Sequence, residues 1–361
     1  MNAEINGDLI TLAREYRGCT QDQVASEASI RQGTLAKIEG GLLSNVSDEI
    51  VHRIARVLGF PLAFFYLDDE RIDFGSSSYY YRKKARVSVT DRKFITGVVN
   101  IHRISLKKLL DSVDMEASRA LPSLDLDEYE GDAKEAARVA RAAWSLPDGP
   151  IKNITRLMES AGILIVPCDF KTNHMDATSI HVANCPPMVF INKGMPGDRW
   201  RFTLAHELAH LILHGSPSAT MEDEADAFAG EFLTPHDQIK AQLRRLGKVR
   251  VADLFDLKPY WKVSAASLLM RADEVGLLTK NQKRYLWAEF SKAGYRTSEP
   301  IPIPREEPTS HVGLIRHFLD QLAYSVEEVA KTVSLGVDDF SRLYADCLPK
   351  PATPVKLRLV K

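Results

Sequence analysis

The strongest constraint in this sequence is the segment RFTLAHELAHLILHG at residues 201–215, which contains the motif His-Glu-x-x-His. On an α-helix, residues four positions apart share a face, so His206 and His210 can both direct an imidazole at one metal ion. Glu207 lies between them and can reach a water molecule held there. The flanking residues are almost all apolar, which predicts a buried helix whose polar side chains need partners. The alternative is a pair of hydrogen-bonded core histidines that match the motif by chance.

Composition excludes several broad classes of protein. The chain has 361 residues, enough for two or three domains, and its net charge of -1 gives no reason to expect bulk electrostatic binding to nucleic acid or membrane. We find no export signal and no long apolar run, so no membrane partner is expected. The cysteines are scattered and form no C-x-x-C motif, which predicts a reducing, cytoplasmic compartment without disulfides. They are Cys19, Cys168, Cys185 and Cys347.

Residues 8–66 have the periodicity of a small helical bundle. Helices are predicted at 21–28, 32–39 and 48–58, with Thr20 as an N-cap of the first. The sequence TQDQVASEASIRQGTLAKIEGG resembles the helix-turn-helix of phage-repressor-like (Xre-family) DNA-binding domains, whose second helix lies in the major groove. That resemblance implies a set of residues that would face double-stranded DNA. They are Gln21, Arg31, Gln32, Thr34 and Lys37.

The charge distribution complicates a DNA-binding interpretation. Residues 1–70 contain six basic and eleven acidic residues, the wrong sign for a domain that depends on phosphate contacts. Residues 71–110 contain ten basic and two acidic residues. This basic segment, with the tyrosines at 79–81, could supply contacts to the DNA backbone. The alternative is a strand and a helix with a solvated basic face.

Three short apolar segments precede the motif helix. They predict strands at 162–167, 178–182 and 188–192, which with the helix make an α+β layout. The strand at 188–192 is either an edge strand along which an extended substrate lies or an ordinary inner strand.

A hydrolytic zinc site needs three protein ligands and one open position. The candidates after the motif are His214, Glu222, Glu224 and Glu231. His214 falls about 80° further round the helix than the first histidine of the motif, which strains it as a ligand. On the next predicted helix, Glu222 faces the apolar stripe while Glu224 leans toward solvent, so Glu222 is the first choice and Glu224 the second. Asp226, one turn beyond Glu222, can accept the outer N–H of a ligating histidine.

The two motif-bearing segments resemble a known family. RFTLAHELAHLILH followed by EDEADAFAGEFLTP is similar to the ImmA/IrrE family of bacterial metallopeptidases (peptidase family M78). WKVSAASLLMRADEVG resembles the helical segment that follows the catalytic region there, so the resemblance covers roughly residues 150–290. It implies one zinc ion per chain, held by His206, His210 and Glu222, with Glu207 as the catalytic base.

The resemblance also implies a function. Members of the family typically cleave a helix-turn-helix repressor protein and so relieve repression of mobile-element or stress-response genes. The N-terminal domain would bind DNA or dock the protein partner. The alternative is a DNA-binding transcriptional regulator whose peptidase-like domain is a sensor with little proteolysis.

Peptide hydrolysis also calls for a hydrogen-bond donor that stabilises the oxyanion. The candidates for this donor are His174, His181, His214 and Tyr260.

An internal repeat lies near the C-terminus. SVEEVAKTVSLGVDDFSRLY at 325–344 aligns without gaps with TQDQVASEASIRQGTLAKIE at 20–39, which predicts a degenerate helix-turn-helix-like unit. Its second helix carries Asp338 and Asp339 where a DNA reader needs polar or basic groups. We therefore expect a packing or homodimerisation unit. A chance likeness between helical hairpins is the alternative.

These observations combine into one architecture. The predicted fold is mainly α with a small α+β zincin-like peptidase domain, an N-terminal all-α helix-turn-helix domain and a C-terminal helical region. The predicted segments are 1–70 (helix-turn-helix), 71–149 (basic segment and helical linker), 150–296 (zinc peptidase), 297–310 (extended proline-rich connector) and 311–361 (C-terminal helical region).

Overall fold

The computed structural model describes residues 4–43, 45–73, 87–113, 115–182, 184–216 and 218–349. The described chain is mostly helical with one small sheet, which confirms the predicted fold class. Within these ranges no helix is both long and apolar enough to cross a membrane. Part of the basic segment lies outside the described residues, and with it the proposed DNA contacts of Arg82, Lys83, Lys84, Arg86 and the tyrosines at 79–81.

The regular elements follow one another in this order. The helices are α1 (Gly7–Arg17), α2 (Gln21–Glu27), α3 (Gln32–Glu39), α4 (Asp48–Leu58), α5 (Val89–Leu110), α6 (Ala133–Ala143), α7 (Ile154–Ser160), α8 (Gly197–Leu213), α9 (Met221–Leu233), α10 (His236–Arg244), α11 (Val251–Trp261), α12 (Ala265–Glu274), α13 (Lys280–Lys292), α14 (Ser310–Arg316), α15 (Val326–Thr332) and α16 (Val337–Leu343). The strands β1 (Leu164–Cys168), β2 (Ala177–Ile180) and β3 (Met188–Asn192) lie between α7 and α8. Short 3-10 helices occupy Leu62–Tyr66 and Leu126–Tyr129, and a π-helical turn occupies His317–Gln321.

A buried polar network fixes the first three helices against each other. The guanidinium of Arg14 on α1 donates to both carboxylate oxygens of Glu39 on α3, at 2.6 and 2.8 Å. The amide of Gln21 on α2 donates to the same carboxylate at 2.7 Å. Charge-assisted, two-pronged bonds of this kind set orientation as well as energy. The network therefore holds α2 and α3 at a defined angle to α1.

The long helix α5 is a central element and not a solvated one. Most of its residues from Ile95 onward are buried. The carboxylate of Glu15 on α1 forms ion pairs with Arg71 at 3.0 Å and with Lys93 on α5 at 3.4 Å. Arg103 on α5 lies 3.6 Å from Asp69. The described part of the basic segment thus pairs with acidic residues of the N-terminal unit, although the Lys93 side chain stays half exposed.

The sheet has the strand order β1-β3-β2, with β1 parallel and β2 antiparallel to β3. All five residues of β3 are buried, so β3 is an inner strand and the alternative that made it an edge is wrong. Ile165 and Val189 pack into the core around α8 and α9. Leu164 and Phe190, on the opposite face, pack into the core that contains α1 and α5. The sheet therefore separates two hydrophobic cores.

The C-terminal unit repeats the local geometry of the N-terminal helix-turn-helix. Thr20 and Ser325 each begin their helix with a capping box. Ser29 and Ser334 occupy equivalent turn positions and both have left-handed backbones, with φ of 53° and 57°. The same helix-turn-helix hairpin is therefore present twice in the described chain.

The second hairpin packs against α1, the helix that precedes the first hairpin. Arg17 on α1 donates to Asp339 on α16, with one N–O distance of 2.9 Å, and Arg342 donates to the hydroxyl of Tyr16 at 3.1 Å. Asp339 aligns with Thr34, one of the residues expected to face DNA, yet it is buried against α1. This arrangement fits a packing role within the chain.

The proline-rich connector at 298–309 has no helix or strand, but it is held in place. Glu299 accepts from the buried ammonium of Lys258 at 2.7 Å, and Lys258 also contacts Asp198 at 2.8 Å. Glu306 pairs with the fully buried Arg201. Asp198 and Arg201 both belong to the beginning of α8, so the connector fastens the helix that carries the motif.

Candidate metal centre

Helix α8 presents the two motif histidines side by side. Its apolar residues Leu204 and Leu208 are fully buried, which fixes the rotation of the helix about its axis. The rings of His206 and His210 are 4.7 Å apart between centroids, and their Nε2 atoms are 3.0 Å apart. Both imidazoles therefore point at the same place.

Helix α9 brings Glu222 to this place. Its Oε2 lies 3.3 Å from Nε2 of His206, and its Oε1 lies 3.5 Å from Nε2 of His210. One atom from each of the three side chains lies within 4.8 Å of the others. Ligand atoms about 2.0–2.1 Å from a tetrahedral zinc ion would be about 3.3 Å apart. The structure thus brings together the three residues expected as ligands, at spacings that suit zinc.

The hydrogen-bonding chemistry of the cluster calls for a cation. Nδ1 of His206 lies 2.8 Å from Oδ1 of Asp226, and a carboxylate only accepts, so the proton of neutral His206 sits on Nδ1. Nε2 of neutral His206 then carries a lone pair, which faces Nε2 of His210 and the carboxylate of Glu222. Nε2 of His210 also carries a lone pair when that ring donates from Nδ1 to His214, and acceptors that face one another are unfavourable unless a proton or a metal ion joins them. The donor set therefore fits a metal ion.

The pKa values of the histidines agree with this electrostatic arrangement. Burial lowers the pKa of His206, but hydrogen bonds to Asp226 and Glu222 and the charge of Glu207 raise it overall to about 10. Burial, with the charges of His206 and His214, lowers the pKa of His210 to about 2. The site attracts one positive charge and keeps His210 neutral, which is the form that ligates a metal.

Glu207 is buried beside the histidines, with 6% of its surface exposed. Burial raises its pKa, while the charge of His206 and the hydroxyl of Ser179 on β2 partly oppose the rise. A carboxylate with a raised pKa is a better proton acceptor near neutral pH. Its position beside the histidines and its raised pKa would allow Glu207 to accept a proton from a neighbouring group.

His214 and Glu224 form a hydrogen-bonded chain on the side of His210 that faces away from Glu222. Helix α8 ends at Leu213, and His214 has φ -112° and ψ 86°, so its side chain no longer follows the helical direction. Nδ1 of His214 lies 2.9 Å from Nδ1 of His210, and its Nε2 lies 3.0 Å from Oε2 of Glu224. The expectation that Glu224 leans toward solvent is wrong, because it accepts a hydrogen bond from His214 instead.

The remaining candidates for the oxyanion donor lie apart from this network. The described residues show no hydrogen bond from His174, His181 or Tyr260 to the motif residues. His174 and His181 are exposed, the latter just beyond the end of β2. The Tyr260 side chain is half exposed, with its hydroxyl beside Gly149.

The residues expected to face DNA lie on or beside α2 and α3 of the N-terminal unit. Arg31, Gln32 and Lys37 are exposed, and Thr34 is half-buried. Gln32 donates to Gln21 at 2.8 Å, which ties the start of α3 to α2. The structure thus joins Gln21 to Gln32, while the Gln21 amide also donates to the buried Glu39 at 2.7 Å.

A His-Glu-x-x-His helix followed by a helix that supplies a glutamate is the arrangement of thermolysin-like metallopeptidase sites. Residues 158–273 match the model of the IrrE N-terminal-like domain, the peptidase M78 family. Residues 7–63 match the model of a helix-turn-helix domain. The chain therefore contains an ImmA/IrrE-type peptidase M78 domain preceded by a helix-turn-helix domain. None of the curated proteins matches the chain.

Proposed function

We propose that this protein is a zinc-dependent endopeptidase that cleaves a repressor-type helix-turn-helix protein and thereby relieves repression. The observation that carries the proposal is the convergence of His206, His210 and Glu222 on one point, beside the buried carboxylate of Glu207. The family match supports peptide hydrolysis, and the N-terminal helix-turn-helix domain supports a regulatory protein as substrate.

Each residue of the site has a defined task in this proposal. A zinc ion held by His206, His210 and Glu222 would supply a Lewis acid and would lower the pKa of water. Glu207 accepts a proton from the attacking water on its carboxylate and later donates it to the leaving amine. Asp226 accepts from Nδ1 of His206 and so keeps Nε2 of that ring free for the metal.

The topology of the sheet suggests where the substrate lies. Strand β2 forms an edge of the sheet and packs against α8. The hydroxyl of Ser179 on β2 hydrogen-bonds to the carboxyl of Glu207. An extended peptide that pairs with an edge strand gains main-chain hydrogen bonds without a sequence requirement. We therefore place the substrate along β2 (177–180), and not along β3.

The decisive experiment measures zinc and cleavage in parallel. We expect about one zinc per purified chain, and cleavage of the repressor-like product of an adjacent gene. Glu207→Gln should retain zinc but slow cleavage by about 10²-fold or more, because it removes the base and leaves the ligands. Asp237→Asn, a fully exposed acid outside the site, is the control and should cleave normally. A zinc-free chain from a zinc-replete preparation would refute the site assignment.

The alternative function, a DNA-binding regulator that cuts little, draws support from the surface of α3. Arg31 and Lys37 are exposed there, and three of the eleven acidic residues in 1–70, namely Glu15, Glu39 and Asp69, are paired with cations. This alternative predicts a gel shift on a neighbouring promoter that weakens steeply with salt.

The α3 surface can be tested directly. Arg31→Ala combined with Lys37→Ala should abolish the shift, while Lys280→Ala, a basic residue on α13, should leave it intact. If neighbouring promoters give no shift at low salt, the domain docks a protein partner instead.

A further inference from the structure

A chain of two hydrogen bonds runs from His210 to the carboxylate of Glu224. Nδ1 of His210, the ring nitrogen that does not face Glu222, lies 2.9 Å from Nδ1 of His214. The other ring nitrogen of His214 lies 3.0 Å from Oε2 of Glu224. The side chains of His214 and Glu224 are 4% and 22% exposed. Water therefore competes little for these bonds, above all at His214.

One arrangement of protons satisfies both bonds. An ionised Glu224 only accepts, so neutral His214 carries its proton on Nε2 and offers Nδ1 as an acceptor. His210 must then donate from Nδ1, which leaves its Nε2 lone pair facing His206 and Glu222. The charge on Glu224 thus selects, through His214, the tautomer of His210 that can bind a metal ion.

We propose that His214 and Glu224 are positioning residues that hold the ring and tautomer of His210 for metal binding. The inference rests on the proposed zinc site and deepens it. His206 has an equivalent support in Asp226, whose side chain is 61% exposed and reaches the ring directly. The His210 side chain is 11% exposed, and its Nδ1 faces the protein interior. The support of His210 therefore passes through a second, buried histidine, His214.

The test is the zinc affinity of the full-length chain, measured by competition with a chromophoric chelator. His214→Phe keeps a ring of similar size but removes both hydrogen bonds, and should weaken zinc binding about 10- to 100-fold. Glu224→Gln removes the charge and should weaken it less. Asp223→Asn alters an exposed acid on the same turn of α9 and is the matched control, with unchanged affinity.

A double variant separates positioning from a merely structural role. If Glu224 acts through His214, adding Glu224→Gln to His214→Phe causes little further loss of zinc affinity. Independent structural roles would instead multiply the two losses and lower the melting temperature of the zinc-free chain.

Three results would overturn the inference. The first is a folded His214→Phe variant with unchanged zinc affinity. If His214→Phe does not fold, unchanged zinc affinity in Glu224→Gln has the same meaning. The third is a double variant in which the two losses of zinc affinity multiply. Failure of the proposed function has a different signature. A wild-type chain that binds no zinc refutes the metal site, whereas one that binds zinc without cleaving still allows every affinity comparison.

Discussion

The connector approaches the site helix most tightly at Gly197, the first residue of α8. A methyl group there would lie 2.3 Å from the carbonyl oxygen of Ile303 and 2.6 Å from that of Pro304, far inside the ordinary contact range of 3.4–4 Å. Both oxygens belong to backbone held on either side by Glu299 and Glu306. Overpacking of this kind costs about 1–3 kcal/mol. We expect Gly197→Ala to fall in the upper half of that range, because no side chain can rotate away.

Thermal unfolding followed by circular dichroism measures this cost. A loss of about 2–3 kcal/mol lowers the melting temperature by roughly 4–12 °C in a domain of about 150–250 residues. Gly215→Ala, just beyond the other end of α8, is the control, because a methyl group there meets nothing within 4 Å. If both variants melt within about 1 °C of the wild type, the argument that the connector fixes the start of the site helix is refuted.

Three further predictions concern other parts of the molecule. Glu222→Ala should leave the purified chain essentially free of zinc by elemental analysis, and full occupancy would reassign the third ligand. Arg17→Glu should lower the free energy of unfolding, measured in urea, by about 1–3 kcal/mol, because it places a negative charge beside Asp339. Adding Asp339→Arg should recover part of this loss, and no recovery would argue against the pairing. Burial and the charge of His311 lower the pKa of His102 to about 3, and burial lowers that of His311 to about 4. Because unfolded histidines protonate near 6.5, stability present above that pH should be lost toward pH 4, by up to about 1.4 kcal/mol per pH unit for each histidine. His102→Gln should flatten this dependence in urea titrations, and an unchanged slope would contradict the assignment.

The helical repeat explains why much of the site could be expected from the sequence. A spacing of four residues puts His206 and His210 on one face of α8 in any fold. The apolar stripe of α9 must face the core, and the phase of Glu222 relative to that stripe turns it toward α8. These are local properties, so they survive without knowledge of the neighbouring elements.

Other features depend on contacts between distant segments. The apolar run of β3 suits an edge or an inner strand equally, and the pairing with both β1 and β2 decides which it is. The charges of α5 look solvated in isolation, because nothing local shows that Glu15 and Asp69 will meet Lys93 and Arg103. Helical phase could not show that His214 meets Glu224, because the helix ends one residue earlier.

The sequence alone predicts that His206, His210 and Glu222 converge, because the motif and the following amphipathic helix are governed by the 3.6-residue repeat of single helices. It also determined the second helix-turn-helix hairpin, since the capping residues and the turn at Ser334 act within a few positions. Tertiary structure decided that β2 is an edge strand packed against α8, and that the second hairpin packs on α1 through Asp339. It alone decided that Glu224 reaches His210 through His214. These outcomes depend on where separate helices and strands meet, which is set by packing across the whole chain.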